Sequence, residues 1–284
     1  MTAIHTTVGP QAQQPHNILS LGAGVQSTTL LMMSCNGDLP PLDAVIFVDT
    51  GWEMLSTYKH LEWIRQQCNQ AEIPLHIIDS ANIHTDALRS FVRAKNENGH
   101  RCTSMPYHVL SPNGKRGILR RQCSKEYKVI PILRKIRQVL GYRPRQHLPT
   151  NLVNNWIGIS FNERRRARKS PNFWCTNHYP LIEQRMTRTD CLVWLHSHGY
   201  PQPTRSSCVG CPYHSDKEWR RIRDNELNSW AEAVYLDQVI RNRGGIRGQL
   251  FLHHSCAPLA DVNLDTDYDR GQLPLFPQLQ TTTN

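Results

Sequence analysis

Apolar positions in the N-terminal half fall into short runs separated by stretches with helical spacing. Asn17–Leu21, Asp43–Asp49 ("DAVIFVD") and Pro74–Asp79 read as strands, and the spacing predicts helices over Ser27–Ser34 and Met54–Asn69 between them. Strands alternating with helices imply a parallel sheet with right-handed crossovers. Val129–Leu140 reads as a basic helix with apolar spacing and Asn155–Ser160 as a further strand. From Phe161 onward the pattern changes. Helices near Arg188–His198, Asp216–Asp224 and Leu227–Arg241 are joined by Pro-, Ser- and Cys-rich connections. The expected organisation is an α/β domain over residues 17–160 and a helical, cysteine-containing subdomain over 161–264, packed onto the carboxyl edge of the sheet. The Thr-, Gln- and Pro-rich stretch 1–16 reads as a disordered lead-in and 265–284 as a flexible tail.

Composition narrows the class. The mean hydropathy is -0.53 with 39% hydrophobic residues, and no apolar run nears the roughly 18 residues of a membrane span. With no signal-peptide pattern at the N-terminus, the expected location is cytoplasmic. Nine cysteines in such a chain argue for free thiols or metal ligands rather than a disulfide framework. A net charge of +10 and a pI near 9.3 favour anionic partners: nucleotides, sulfated compounds or nucleic acid.

The first strand ends in "LGAGVQST" and runs straight into a helix. Gly22 and Gly24 let backbone approach an anion, and the N–H groups of the first turn favour phosphate or sulfate. Ser27 and Thr28 add hydroxyl donors; an ordinary turn capped by Ser27 is the alternative. The second strand ends in "VDTGWE", with Asp49, Thr50 and Gly51 at the carboxyl edge where open parallel sheets bind ligands. Asp49 suits a ribose hydroxyl or an adenine amino group, or else simply a helix N-cap. Further on, "GKRGILRRQCSKEYKVIPI" sets Cys123 among Arg121, Lys128 and other cations, which lower a thiol's pKa and ready it for metal or nucleophilic work. In "SSCVGCPYHSDKEW", Cys208 and Cys211 lie at a spacing that lets one tight turn aim two sulfurs at one ion.

"LGAGVQSTTLL" followed by "FVDTGWE" resembles the PP-loop of the phosphoadenosine phosphosulfate (PAPS) reductase family, part of the adenine-nucleotide alpha-hydrolase superfamily, whose fold is HUP/Rossmann-like. Gly22 stands at the family's serine, Val25 at its lysine and Gln26 at its aspartate, while Gly24, Ser27 and Thr28 match. The resemblance implies ATP or a related adenine nucleotide (PAPS or adenylyl sulfate), with Mg2+, against Ser20, Gly22, Ala23, Gly24, Gln26, Ser27, Thr28, Asp49, Thr50 and Gly51. Glu163 and Arg166 in "FNERRRARKS" match an acidic–basic pair near the family's substrate. "QCSKEYKVIPI" is similar to the family's Cys-Cys-x-x-x-Lys-x-x-Pro-Leu segment. That match assigns Cys123 to an iron–sulfur cluster of the 4Fe-4S kind and Lys128 to an anion contact, with Arg121 beside them; zinc is the alternative metal. Cys191 is expected to complete a set with Cys123, Cys208 and Cys211; Cys175 is its rival and Cys256, in "LHHSCAPL", is left open. Cys35, Cys68 and Cys102 read as ordinary thiols.

PAPS reductases end in a Glu-Cys-Gly segment whose cysteine attacks sulfur, whereas "RGQLPLFPQLQTTTN" holds no cysteine. The resemblance therefore implies an ATP-dependent activation with sulfur transfer to a nucleic acid or a small molecule, supplied by a donor such as a cysteine desulfurase. A sulfonucleotide reductase and a non-catalytic nucleotide- or nucleic-acid-binding module with a structural metal are the alternatives.

Overall fold

The computed structural model describes residues 14–79, 81–89, 105–242 and 246–265. Most of the expected lead-in and tail, and Cys102, lie outside the described residues. In chain order the strands are β1 (His16–Leu21), β2 (Ala44–Asp49), β3 (Leu75–Asp79), β4 (His108–Leu110), β5 (Arg116–Ile118), β6 (Val153–Ile157), β7 (Cys175–His178) and β8 (Gln249–Phe251). The helices are α1 (Val25–Cys35), α2 (Leu55–Gln70), α3 (Ile83–Arg89), α4 (Ile130–Val139), α5 (Pro180–Glu183), α6 (Arg188–Ser197), α7 (Asp216–Asn225) and α8 (Leu227–Ile240). The chain divides into two compact units, each made of two segments: Met1–Ser80 with Tyr127–Ser206, and Ala81–Glu126 with Ser207–Asn284.

The first unit is a five-stranded sheet in the order β3-β2-β1-β6-β7, parallel at every pairing. Its strands are apolar on both sides because helices cover both faces. Alternate residues of β2 divide between two cores: Val45 and Phe47 pack in one with Leu30, Leu31 and Ile64, while Ala44 and Ile46 pack in the other with Ile136 and Trp174. The helix α6, read from sequence as part of the C-terminal subdomain, belongs to this unit. Its Cys191 and Leu195, one turn apart, share the core of α1.

The strand order runs outward one way from β1 through β2 to β3 and the other way through β6 to β7. Such a reversal leaves a crevice at the carboxyl ends of the two central strands, the place where open α/β sheets bind ligands. β6 pairs with β1 from His16↔Val153 to Ser20↔Ile157, so the turn after β6 meets the turn after β1. They meet closely: a Cβ on Gly158 would lie 2.8 Å from the Ser27 nitrogen and 3.1 Å from the Gln26 carbonyl carbon. Only glycine lets the start of α1 sit there.

The second unit holds a three-stranded antiparallel sheet, β5-β4-β8, with α3, α7 and α8. These strands are three residues each and alternate too briefly to be read from sequence. Gly248 (φ 137°) admits β8, since a Cβ there would come within 2.6 Å of the Leu110 carbonyl oxygen. Beneath, Trp219 and Leu236 are fully buried. The buried carboxylate of Asp237 on α8 accepts from the backbone N–H groups of Leu252 (2.8 Å) and Leu259 (2.9 Å) and pairs with Arg241. One side chain thus pins both ends of the segment that follows β8.

Gly158→Ala has to displace backbone, not a flexible side-chain tip, so it is expected to cost about 1–3 kcal/mol in a urea titration, the usual penalty of overpacking. Gly24→Ala, whose added carbon would come no closer than 3.5 Å to Ser206, serves as the mild control; equal losses in the two variants would contradict the close approach.

Candidate functional site

Accessibility alternates through the loop after β1. Gly22, Gly24 and Gln26 reach the surface, whereas Ala23, Val25, Ser27 and Thr28 are buried. Ala23 turns the chain with φ 53°, a left-handed conformation that costs a non-glycine residue roughly 1–2 kcal/mol. The Ser27 hydroxyl holds the turn together: it accepts from the N–H groups of Gly22 (3.2 Å) and Gly24 (3.3 Å). Both N–H groups are thus engaged within the loop, which leaves the opening N–H groups of α1 as the backbone donors at this turn. Thr28 does not face that opening. Its hydroxyl lies 3.0 Å from His60 Nε2 in the interior, and burial lowers the pKa of His60 to about 4, so this imidazole is neutral at pH 7. Ser20 is likewise used within the sheet, donating to Asn155 Oδ1 at 2.6 Å.

Gln26, at the position of the family's aspartate, spans the crevice. Its amide donates to Glu163 Oε2 at 3.0 Å, and Glu163 in turn pairs with Arg166. The two residues singled out beyond β6 are therefore joined to the loop through Gln26. Their neighbours Arg164, Arg165, Arg168 and Lys169 are exposed.

At the end of β2, Asp49 Oδ1 accepts from the Gly51 N–H (2.7 Å) and from the Tyr58 hydroxyl (2.9 Å). Burial first, and then this carboxylate, push the Tyr58 pKa upward. Thr50 is buried and donates to Glu53 Oε1 at 2.9 Å. Lys128 Nζ reaches the same oxygen at 3.0 Å, and the Glu53 side chain is 0% exposed against 33% for the lysine. The sequence reading proposed Lys128 as an anion contact and passed over Glu53. The geometry makes Lys128 the counterion of that buried carboxylate; the signal was there in the glutamate that closes "VDTGWE". Gly158 was also missed, because nothing in its local sequence announces a backbone contact 131 positions away.

In the second unit, Cys208 and Cys211 sit on a tight turn closed by the Cys211 N–H to the Cys208 carbonyl (3.1 Å). His214 faces the carbonyls of Cys208 and Val209 at 3.0 and 3.1 Å. Cys123, half-buried, immediately precedes a π-helical turn, Ser124–Val129, and two residues before it the Arg121 guanidinium lies over the Tyr213 ring at 5.4 Å. The small sheet arranges these segments. His108 is the register partner of Ile118 at the end of β5 and of Phe251 at the end of β8. The chain leaving Ile118 towards Cys123 and the chain leaving Phe251 towards Cys256 therefore depart from the same end of the sheet. His108 Nε2 lies 3.1 Å from the carbonyl of Pro212, so the CxxC turn meets that end as well. Cys256 is buried and adopts φ 54°, a strained state of the kind that collects at functional sites.

Cys191 has different surroundings. It is 0% exposed in the aliphatic core of the first unit, where burial pushes its thiol up to about 11. Cys175, its rival, is buried in the opposite core with its thiol also at about 11. Cys68 is buried and raised to about 12, and Cys35 is raised by burial as well. Desolvated thiols of this sort are chemically inert.

No family model matches the sequence, and no curated protein matches it. Among solved structures the chain is similar to the U34-tRNA thiolase NcsA from Methanococcus maripaludis, which carries a 4Fe-4S cluster. The identity is 12%, the match covers 87% of this chain and 79% of that one, and the TM-score is 0.39. A likeness that shallow carries no argument. The class of this protein rests on its own sheet: a parallel, Rossmann-like α/β protein whose strand order reverses between β1 and β6. No described helix is long and apolar enough to cross a membrane.

Lys128→Met removes the cation from a buried carboxylate and is expected to lower stability by about 1–3 kcal/mol. Glu53→Gln introduced with it should restore part of that loss in a double-mutant cycle. Strict additivity would show that the two groups do not act as a pair.

Proposed function

We propose that this protein is a PAPS reductase-like PP-loop enzyme that activates an acceptor with ATP and transfers sulfur to it, using a 4Fe-4S cluster. The observation that carries the reading is the register of the small sheet, which sends the segments bearing Cys123 and Cys256 from one end, where His108 also meets Pro212 beside the Cys208–Cys211 turn. In this reading Cys256 takes the place first assigned to Cys191, whose thiol is buried in an aliphatic core. The donor set offers three half-buried thiols, two on a turn and one beside a helix start, and a buried fourth, Cys256, whose thiol is pushed up by burial, an effect Arg116 only partly opposes.

The first turn of α1 holds the triphosphate, with Mg2+ balancing its charge. Gln26 and Glu163 border it, and Asp49 faces the ribose or the base. Acceptor oxygen attacks the α-phosphorus and pyrophosphate leaves; hydrosulfide, released from the donor's persulfide by two electrons from an external thiol reductant, then displaces AMP from the activated acceptor. Held by Cys123, Cys208, Cys211 and Cys256, the cluster would be fully ligated and would hold these three segments together. The net charge of +10 suits a nucleic-acid acceptor bound with salt-dependent affinity, and a cysteine desulfurase is a fitting sulfur donor.

Anaerobic purification is expected to give a brown protein with about four irons per chain. Cys256→Ser should lose colour and iron, and Cys191→Ser should keep both. Pyrophosphate release from ATP should require the acceptor. A colourless zinc protein would contradict the cluster. Sulfite release from PAPS with a thiol reductant would instead establish a sulfonucleotide reductase, and nucleotide binding without turnover a binding module.

A further inference from the structure

We propose that Asp216, His253 and His254 form a separate site for a borderline divalent ion such as Zn2+, built from nitrogen and oxygen rather than sulfur. Each of the three offers a ligand atom, and these atoms all lie within 4.8 Å of one another. His253 Nε2 is 3.1 Å from Asp216 Oδ1, and His254 Nδ1 is 3.6 Å from the same oxygen. The second distance is too long for a hydrogen bond. Yet two ligands on one tetrahedral zinc, each at about 2.0–2.1 Å, stand roughly 3.3 Å apart, and the observed pair brackets that spacing. An ordinary structural pair would need one imidazole; here a second, in the adjacent residue, addresses the same carboxylate.

The surroundings suit the role. His253 is 2% exposed, while His254 and Asp216 are more than half exposed, so the site has a rigid wall and an open side for water ligands. Ser255 brackets His253 Nδ1, its hydroxyl at 2.8 Å and its N–H at 3.2 Å. Ion binding at Nε2 shifts the imidazole's single proton, through solvent, to Nδ1, which then donates to the Ser255 hydroxyl instead of accepting from the Ser255 N–H. Asp216 is not needed as a helix cap, since the Ser215 side chain already accepts from the Glu218 N–H. The Asp237 clamp on Leu252 and Leu259 holds the histidine segment in position. Two imidazoles and a carboxylate select zinc and its neighbours over magnesium or calcium.

The full-length protein, purified anaerobically, is dialysed against graded Zn2+ and then Co2+, and metal per chain is measured. One equivalent of zinc should bind beyond whatever metal the cysteines hold, and Asp216→Asn and His254→Gln should each weaken it at least tenfold. His254→Gln alters an exposed side chain, so its metal-free thermal midpoint should match the parent. Bound Co2+ should show weak visible bands without thiolate-to-cobalt charge transfer, and that readout is indifferent to whether the sulfur-transfer reading holds. Unchanged zinc affinity in both variants, or a thiolate charge-transfer band from the added cobalt, would overturn the site.

Discussion

His108 sets a constraint on which the chemistry of the second unit depends. Paired with Ile118 on one side and Phe251 on the other, it makes two distant chain segments leave a short sheet at the same end. Its ring meets Pro212 there, next to the CxxC turn. A slip of one residue in either ladder would turn the following segment to the other face. Gly248, whose missing side chain leaves room for the Leu110 carbonyl, and Asp237, which ties down Leu252 and Leu259, protect that register. The same arrangement gathers the Asp216–His253–His254 group.

The first unit solves a different problem by a similar means. Its nucleotide-type loop is shaped from within by the Ser27 hydroxyl and from across the sheet by Gly158, whose backbone contact fixes where α1 begins. Within the loop Val25 is buried and Gln26 reaches Glu163 across the reversal in strand order.

Much of the parallel sheet was legible in the sequence because its strands are long apolar runs and its helices carry clear periodicity. β1, β2, β3 and their crossovers fall within a few residues of expectation, and the loop at the end of β1 could be read from its glycines and hydroxyls. The small sheet was not legible: strands of three residues carry no measurable alternation, and their pairing is long-range. The same limit explains the cysteines. Cys208 and Cys211 announce themselves by spacing, whereas choosing between Cys191 and Cys256 depends on burial and topology. Cys191 looked suitable at the start of a helix, yet that helix packs against α1 and takes the thiol into the core. Glu53 and Lys128 are 75 positions apart, and their pairing likewise needed the fold.

The central claim is that four cysteines from three distant segments hold one iron–sulfur cluster. Diffraction from anaerobically grown crystals, recorded on either side of the iron absorption edge, tests it most directly. The account predicts one compact anomalous feature bonded to Cys123, Cys208, Cys211 and Cys256, with no iron near Cys191. An iron feature at Cys191, or one that leaves Cys123 or Cys256 unligated, would contradict it.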